Sequence, residues 1–397
     1  MMADADRTPS LAKRFAYICA DPGIPVPGGK GASIHVKSVC RALRGLGLDG
    51  EVFTVRPEAE SLCGLPVRPI SIPRRRKRKS IEDRETRLFL ASLNTSISMM
   101  EKPDFIYERY TLWHAGGLAH ARELDVPFIL EVNSPLPVEA KNFRNLANLP
   151  LAEGIAQLLM RDADGIVCVS EEVAEWVRSL RGHASGVWVI PNGVDDELFT
   201  PNGRSRPAGL PGSETPVIAF SGSFRPWHGI DDMLDAFHIL VRETGSDAHL
   251  LLVGDGPMRD DFESKARSFG LHDRVHITGM VSHQEVPEWL EGATMAVAPY
   301  PQLEHFYFSP LKLYEFLALG LPVIATDVGQ IRDVIPDGER GLLCPPGSPE
   351  ALASAMNEIL SDAERSQQLA RAGRKWVLDN ATWHHRVREI LTNVSEL

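Results

Sequence analysis

The residues best suited to chemistry lie in one segment of the second half, FYFSPLKLYE at 306–315. Proline favours the first turn of a helix, so the segment predicts a helix that begins near Pro310 with Ser309 as its N-cap. Lys312 and Glu315 are three residues apart and share one helix face. A cation suited to phosphate beside a carboxylate suited to ribose hydroxyls indicates a nucleotide diphosphate site. The alternative is a first-turn salt bridge between the two side chains.

Two glycine-rich turns each follow a predicted strand and precede a predicted helix, at 21–33 and at 222–229. Such turns direct backbone N–H groups, at the positive end of a helix dipole, toward phosphate. The first turn lacks the full dinucleotide fingerprint and could equally be only a tight turn. The second turn adds Arg225 and His228, which makes it the better phosphate site. Arg225 could instead cap or bridge neighbouring elements.

The elements that must position these residues alternate between short apolar runs and amphipathic stretches, which predicts an α/β protein with parallel sheets. A helix is expected from about Ala32 to Leu46, with a stop at Gly47. Further helices are expected over 230–241 and 382–394. The predicted strands are 15–20, 52–55, 105–107, 128–132, 165–169 and 187–190, then 217–220, 249–253, 275–278, 295–298, 322–325 and 341–343.

The chain of 397 residues is too long for one ordinary core. The strand pattern breaks at Pro191, and the segment up to Pro216 is rich in Pro, Gly, Asn and Ser, as in a linker. We therefore expect a Rossmann-like domain over 1–190, a linker over 191–215, a second Rossmann-like domain over 216–380 and a final helix within 381–397.

The composition limits the classes of protein to which the chain can belong. The chain has no apolar stretch long enough for a membrane span, and its polar first residues lack a signal-peptide core, so a cytoplasmic protein is expected. The cysteines are never spaced as Cys-x-x-Cys, which predicts reduced thiols and no metal site. They are Cys19, Cys40, Cys63, Cys168 and Cys344.

The net charge of the chain is −11, but a run of basic residues extends from Arg74 to Lys79. Six like charges in a row usually form a solvated loop. The functional alternative is a peripheral contact with anionic lipid at the inner membrane surface, or with a phosphorylated acceptor. Nucleic-acid binding is disfavoured because no aromatic residue interrupts the run and the whole chain is acidic.

Seven segments of the chain match the pattern of one known family, and they are 28–36, 163–170, 189–195, 252–257, 278–281, 309–322 and 337–343. Together they resemble family 4 of the retaining glycosyltransferases, whose fold is GT-B. The resemblance implies two Rossmann-like domains that face each other across a cleft, with the acceptor on the first, the donor nucleotide on the second and the last helix crossing back to the first.

The same resemblance assigns roles to individual residues. Glu315 would bind the ribose, and the backbone near Val281 would contact the base. The second glycine turn and the N–H groups at the start of the 310 helix would hold the diphosphate. The residues assigned to donor binding are Gly31, Gly222, Ser223, His228, Val281, Ser309, Pro310, Leu311 and Glu315, and those assigned to catalysis are Arg225, Lys312 and Asn133.

Three departures from the family pattern involve four positions. Tyr307 stands where the first of two glutamates is usual, Ser223 and His228 stand where an arginine and a lysine are usual, and Asn133 stands where a histidine is usual. Arg225 and Lys312 would therefore supply the positive charge. The departures bear on the identity of the donor sugar more than on the fold.

The resemblance implies transfer of a sugar from a nucleotide diphosphate sugar to an acceptor hydroxyl, with retention of anomeric configuration. No carboxylate cluster has metal-ligand spacing, so neither metal nor another cofactor is expected, and fixed charges and N–H dipoles would stabilise the leaving group. A glycan, a lipid-linked precursor and a small natural product all remain open as acceptors. The alternatives are a sugar-nucleotide epimerase or phosphorylase of similar fold, and a non-catalytic protein that binds a nucleotide sugar.

Overall fold

The computed structural model describes residues 13–71, 80–93, 101–143, 145–203 and 206–397. These residues form two compact units. Unit 1 extends to Asn192 and includes Tyr307–Ser309 and Trp383–Leu397, whereas unit 2 comprises Gly193–Phe306 and Pro310–Thr382. The basic run at 74–79 lies outside the described residues.

Unit 1 is built on one sheet. In its described residues the strand order is β3-β4-β2-β1-β5-β6-β7-β8, and every pair is parallel except β3 with β4. The strands are β1 Arg14–Cys19, β2 Asp49–Thr54, β3 Ser61–Leu62, β4 Leu65–Pro69, β5 Phe105–Arg109, β6 Phe128–Val132, β7 Gly165–Cys168 and β8 Val187–Val189. The helices are α1 Gly31–Gly45, α2 Ile81–Leu93, α3 Gly116–Leu124, α4 Leu136–Phe143, α5 Leu149–Asp162 and α6 Glu171–Arg181.

Unit 2 has a second sheet, of order β11-β10-β9-β12-β13-β14 in its described residues, with all neighbours parallel. Its strands are β9 Val217–Ser221, β10 His249–Val253, β11 Val275–Ile277, β12 Met295–Ala298, β13 Val323–Thr326 and β14 Leu342–Cys344. Its helices are α7 Ile230–Thr244, α8 Arg259–Ser268, α9 Val286–Leu290, α10 Leu311–Ala318, α11 Ile331–Val334, α12 Pro349–Ser361 and α13 Ala363–Asn380. The last helix, α14 Trp383–Val394, belongs to unit 1.

The strand order of each sheet is that of a doubly wound fold, in which the chain moves outward in one direction and then in the other. The reversal falls between β1 and β5 in unit 1 and between β9 and β12 in unit 2. Ligands of such folds bind outside the carboxyl ends of the strands at the reversal. Each unit therefore has one edge where a ligand is expected.

Burial explains why these segments form strands and helices. All five residues of β9, VIAFS, are buried, as expected of a parallel strand covered on both faces. Helix α7 buries one face, which includes Met233, Phe237 and Leu240, against the core of unit 2. In unit 1, α14 packs on α1, where Trp383 meets the ring of His35 edge-on at 4.8 Å between centroids.

The α/β class and the predicted strands are confirmed, with ends within three residues of those expected. The pattern missed β3, which has only two residues, and β4, in which Pro66 and Pro69 interrupt the strand signal. The turn between them contains Cys63 and Gly64, both with positive φ. The described residues 193–203 and 206–216 contain no helix or strand and belong to unit 2, where Phe199 is fully buried. Wherever the structure describes a helix, it is too short or too polar to cross a membrane.

Candidate donor site in unit 2

Lys312 lies at the reversal of the unit 2 sheet. Its ammonium is buried and has no hydrogen-bond partner in the described structure, and Nζ lies 4.0 Å from the centroid of the Phe220 ring. A Cβ at Gly222 would come within 2.8 Å of this Nζ, and Gly222 has a φ of +140°. The backbone conformation therefore favours glycine, and the lysine ammonium lies close to where a side chain would begin. The structure thus brings Lys312 directly against the second glycine turn.

Burial changes the acidity of this lysine. It lowers the pKa of Lys312 to about 7, although the negative charge of Glu315 acts in the opposite direction. The ammonium is consequently only about half protonated at neutral pH. A bound anion would favour the charged form, so ligand binding and protonation of Lys312 are linked.

The start of α10 differs from the prediction. The helix begins at Leu311, and its N-cap is Pro310, which is extended with ψ 112° and makes no side-chain cap. Ser309 was expected to be the N-cap, and this prediction is wrong. Its Oγ instead accepts a hydrogen bond from the N–H of Asn192 at 2.9 Å, and its carbonyl accepts one from the Asn192 amide at 2.6 Å. Ser309 belongs to unit 1.

Glu315 has a partner that the sequence did not reveal. Its Oε1 lies 2.8 Å from Nε2 of His283, and both side chains are largely buried. His283 comes two residues after Val281, so this contact holds the loop that follows β11 against α10. The only sign of this contact in the sequence was a histidine shortly after the Thr278–Val281 motif. The structure therefore brings the loop of Val281 and the carboxylate of Glu315 together.

The turn at 222–229 presents an exposed cation. Arg225 is exposed, lies 5.6 Å from the centroid of the Trp227 ring, and has no carboxylate partner in the described part of the chain. Ser223 is exposed as well. The bridging role considered for Arg225 thus has no acidic partner here, and the guanidinium is available to an anion.

His228 has a different role from the one expected. Its Nδ1 lies 2.5 Å from the carbonyl oxygen of Ser223, so Nδ1 must carry the proton. Burial, together with the charges of Lys312 and Arg225, lowers the pKa of His228 to about 3. In the resulting neutral ring, Nε2 can only accept. His228 therefore shapes the turn and is unsuited to donate to a phosphate.

Asn133 lies in unit 1, beside a buried carboxylate. Glu131 accepts hydrogen bonds from the Asn133 amide at 2.6 Å, from Arg109 at 2.6 Å and from the Tyr107 hydroxyl at 3.0 Å, and lies 2.9 Å from Nε2 of His35. Burial alone would raise the pKa of Glu131, but these partners outweigh it and lower the pKa to about 2. The network holds the side chain of Asn133 with its NH₂ turned toward Glu131.

Two further positions singled out by the sequence are Gly31 and Tyr307. Gly31 is the first residue of α1, and a Cβ there would meet no atom within 4 Å. Tyr307, at the position of the missing glutamate, belongs to unit 1 and donates its hydroxyl to Glu139 at 3.5 Å. Within the ranges that the structure describes, no group of three or more His, Cys, Asp or Glu side chains is arranged to hold a metal ion.

Comparison with known proteins agrees with this architecture. The family model "Glycosyltransferase Family 4" matches residues 29–198, and the model "Glycosyl transferases group 1" matches residues 203–376. The fold and the two matches define a glycosyltransferase of the GT-B class. The chain belongs to glycosyltransferase family 4.

Individual relatives are similar over most of the chain. A 2-deoxystreptamine glucosyltransferase of Streptomyces kanamyceticus is 28% identical and covers 89% of this chain and 95% of its own. Sucrose-phosphate synthase of Thermosynechococcus elongatus has a TM-score of 0.74 at 23% identity, over 95% of this chain and 97% of its own. Anabaena HepE in complex with UDP-glucose has a TM-score of 0.70 at 17% identity, over 97% of this chain and 100% of its own.

Proposed function

We propose that this protein transfers a sugar from a nucleotide diphosphate sugar to an acceptor hydroxyl, with retention of anomeric configuration and without a metal ion or another cofactor. The observation that carries the proposal is the buried, unpartnered ammonium of Lys312 against the Gly222 turn, at the reversal of the unit 2 sheet. An unpaired buried cation is unfavourable by itself, and an anionic ligand removes that penalty.

The diphosphate is the part of the donor that this place suits. Lys312 provides one charge, Arg225 provides another from the exposed side of the turn, and the first N–H groups of α10, at Leu311 and Lys312, have no partner within the helix. Charge and helix dipole therefore act on the same anion. The Gly222 turn allows the backbone to approach the diphosphate closely.

The nucleoside would lie on the other side of Lys312. Glu315 is three residues further along α10, and its carboxylate retains lone pairs for ribose hydroxyls beside its contact with His283. The backbone near Val281 would meet the base. The UDP-glucose bound to Anabaena HepE, a protein of the same fold, supports a sugar nucleotide as donor. The glucosyltransferase relative supports transfer to a small molecule as one option.

In the proposed reaction the bond between the anomeric carbon and the diphosphate oxygen breaks, and a bond to the acceptor oxygen forms on the same face. The acceptor proton passes to the departing phosphate, so no protein base is needed. Negative charge grows on the diphosphate, where Lys312, Arg225 and the N–H groups stabilise it. We also propose a catalytic role for Asn133 in unit 1, where Glu131 holds its side-chain NH₂.

All five cysteines are free thiols, and Cys63 alone among them is not buried. Free thiols fit a reducing compartment, and we propose that the enzyme acts in the cytoplasm.

The test begins with thermal-shift measurements on the wild type with uridine, guanosine, adenosine and thymidine diphosphate sugars, because a ligand that binds the native state raises its stability. Lys312→Met should abolish the shift, whereas Lys375→Met, an exposed lysine on α13, should leave it intact. Transfer should persist in EDTA, and NMR of the product should show the donor's anomeric configuration. A wild type that binds none of the four donors would overturn the proposal, as would an inverted product or a new product formed from the donor alone.

A further inference from the structure

Unit 1 contains a cavity of about 220 Å³ at its own sheet reversal. Asp21 follows β1 and Val55 follows β2, while Thr111 and His114 follow β5, and all four line the cavity. The walls therefore come from the carboxyl ends of parallel strands, on both sides of the point where the strand order reverses. This is the ligand-binding position of a doubly wound fold. The donor-site residues of unit 2 do not take part in it.

More than half of the lining residues are apolar, and the charged ones are Asp21, Arg84 and Glu85. Helix α2 contributes Leu88 and helix α4 contributes Leu136, and Trp113 lies in the loop after β5. Ile81 lines the cavity and is also 50% exposed, so the apolar surface continues outward along α2. Such walls favour a ligand with an apolar body, because each apolar area removed from water contributes to binding.

Among the described residues that line the cavity, two have a buried polar atom without a hydrogen-bond partner. These atoms are Oγ1 of Thr111 and Nε2 of His114, and both residues are only 4% exposed. The other ring nitrogen of His114, Nδ1, lies 2.7 Å from Oε1 of the buried Glu108. Nε2 of His114 and the hydroxyl of Thr111 therefore remain for a ligand.

A buried polar atom without a partner is unfavourable, so two of them among the residues of one cavity point to a ligand that pairs them. A hydroxyl suits both atoms, because it can both donate and accept a hydrogen bond. A sugar chain would also place hydroxyls against the apolar side chains of Leu88, Trp113 and Leu136, where each unpaired hydroxyl would oppose binding.

We propose that this cavity binds the acceptor, and that the acceptor is a small hydroxyl-bearing molecule with a mainly apolar body. The proposal rests on the proposed glycosyltransferase function, to which it adds the chemical class of the acceptor. Leu88, Trp113 and Leu136 contact the apolar body, and Thr111 and His114 hold a hydroxyl.

Binding can be measured without the donor by titrating the tryptophan fluorescence of the full chain with 4-nitrophenyl β-D-glucoside, whose aromatic ring quenches a nearby indole. Maltotriose serves as the polyhydroxylated probe, and its binding is followed by calorimetry. The wild type should bind the aryl glucoside at least about tenfold more tightly than maltotriose, a difference of about 1.4 kcal/mol. Trp113→Phe should remove most of the quenching, because Trp113 lines the cavity.

The matched pair of variants lies on one helix. Leu88→Gln places a polar group in the cavity wall and should weaken binding of the aryl glucoside about tenfold, whereas Leu90→Gln, two residues away and 52% exposed, should leave it unchanged. Thr111→Val keeps the shape of the side chain and removes its hydroxyl, and should weaken binding about fivefold, within the usual range for one hydrogen bond. Thermal unfolding of each variant shows whether it folds.

Equal binding of maltotriose and the aryl glucoside would overturn the inference, as would equal effects of the two leucine variants. Donor binding, measured in parallel with UDP-glucose and the other three sugar nucleotides, separates this failure from that of the proposed function. If the wild type binds no sugar nucleotide, the proposed function fails, while the fluorescence titration still decides whether the cavity takes an apolar hydroxyl compound. If donors bind normally and the aryl glucoside does not, only the acceptor class is refuted.

Discussion

Donor affinity should depend on pH through Lys312. Burial lowers the pKa of this lysine to about 7, while His228 at the same turn has a pKa of about 3 and does not titrate near neutrality. A bound diphosphate requires the ammonium, so only the protonated fraction of the free protein is competent to bind. The apparent dissociation constant is then the intrinsic one divided by that fraction.

The magnitude follows from this pKa. About nine-tenths of Lys312 is protonated near pH 6 and about 3% near pH 8.5, so the dissociation constant should rise about 30-fold between them. Isothermal calorimetry with UDP-glucose measures this directly, or the same experiment can use whichever of the four donors gives the largest thermal shift. A sugar nucleotide is preferable to a free nucleotide, whose terminal phosphate itself titrates near pH 6.

Lys312→Met provides the control, because it keeps the length of the side chain without its charge. The variant should bind weakly at every pH and lose the pH dependence. The variant should also remain folded, because it removes a charge whose burial is unfavourable. In the wild type, the unfolded chain keeps this lysine protonated up to its ordinary pKa of 10.5, whereas the native state releases the proton near pH 7. Native stability should therefore rise with pH across this interval in the wild type and stay flat in the variant. A wild-type affinity that is constant from about pH 6 to about pH 8.5, or a variant with the same dependence, would refute the reasoning.

Three further predictions concern neighbouring residues. Gly222→Ala forces a side chain into positive φ and against Lys312 Nζ, and should lower the free energy of unfolding by about 1–3 kcal/mol in denaturant titrations, whereas Gly154→Ala, in open space on α5, should not. Glu315→Gln should weaken UDP-glucose binding about tenfold by calorimetry, because a charged acceptor for the ribose hydroxyls is replaced by a neutral one; unchanged affinity would contradict that role. Glu131→Gln should lower the free energy of unfolding near pH 7 by about 3–5 kcal/mol by breaking a buried charged network. It should also remove the part of the wild-type acid destabilisation that sets in as pH falls from about 4.5 toward 2, since the pKa of Glu131 is about 2.

The sequence by itself determined the α/β class, the places of most strands and the residues that could bind a diphosphate. Strands covered on both faces must be short continuous apolar runs, and helices between them must carry one apolar face, so both are visible as local periodicity. The placement of Lys312 and Glu315 on one helix face also follows from local geometry, because the helix fixes the spacing of its own side chains.

Only the tertiary structure decided which partners these residues have. Ser309 could not be recognised as a partner of Asn192, nor His283 as a partner of Glu315, because both contacts join segments that are far apart in the chain. The same is true of acidity: Lys312 and His228 have lowered pKa values because strands and loops from elsewhere in unit 2 bury them. Spacing along the chain shows which chemical groups are present, whereas burial and long-range contacts determine their charge, their free hydrogen-bonding atoms and therefore what they can bind.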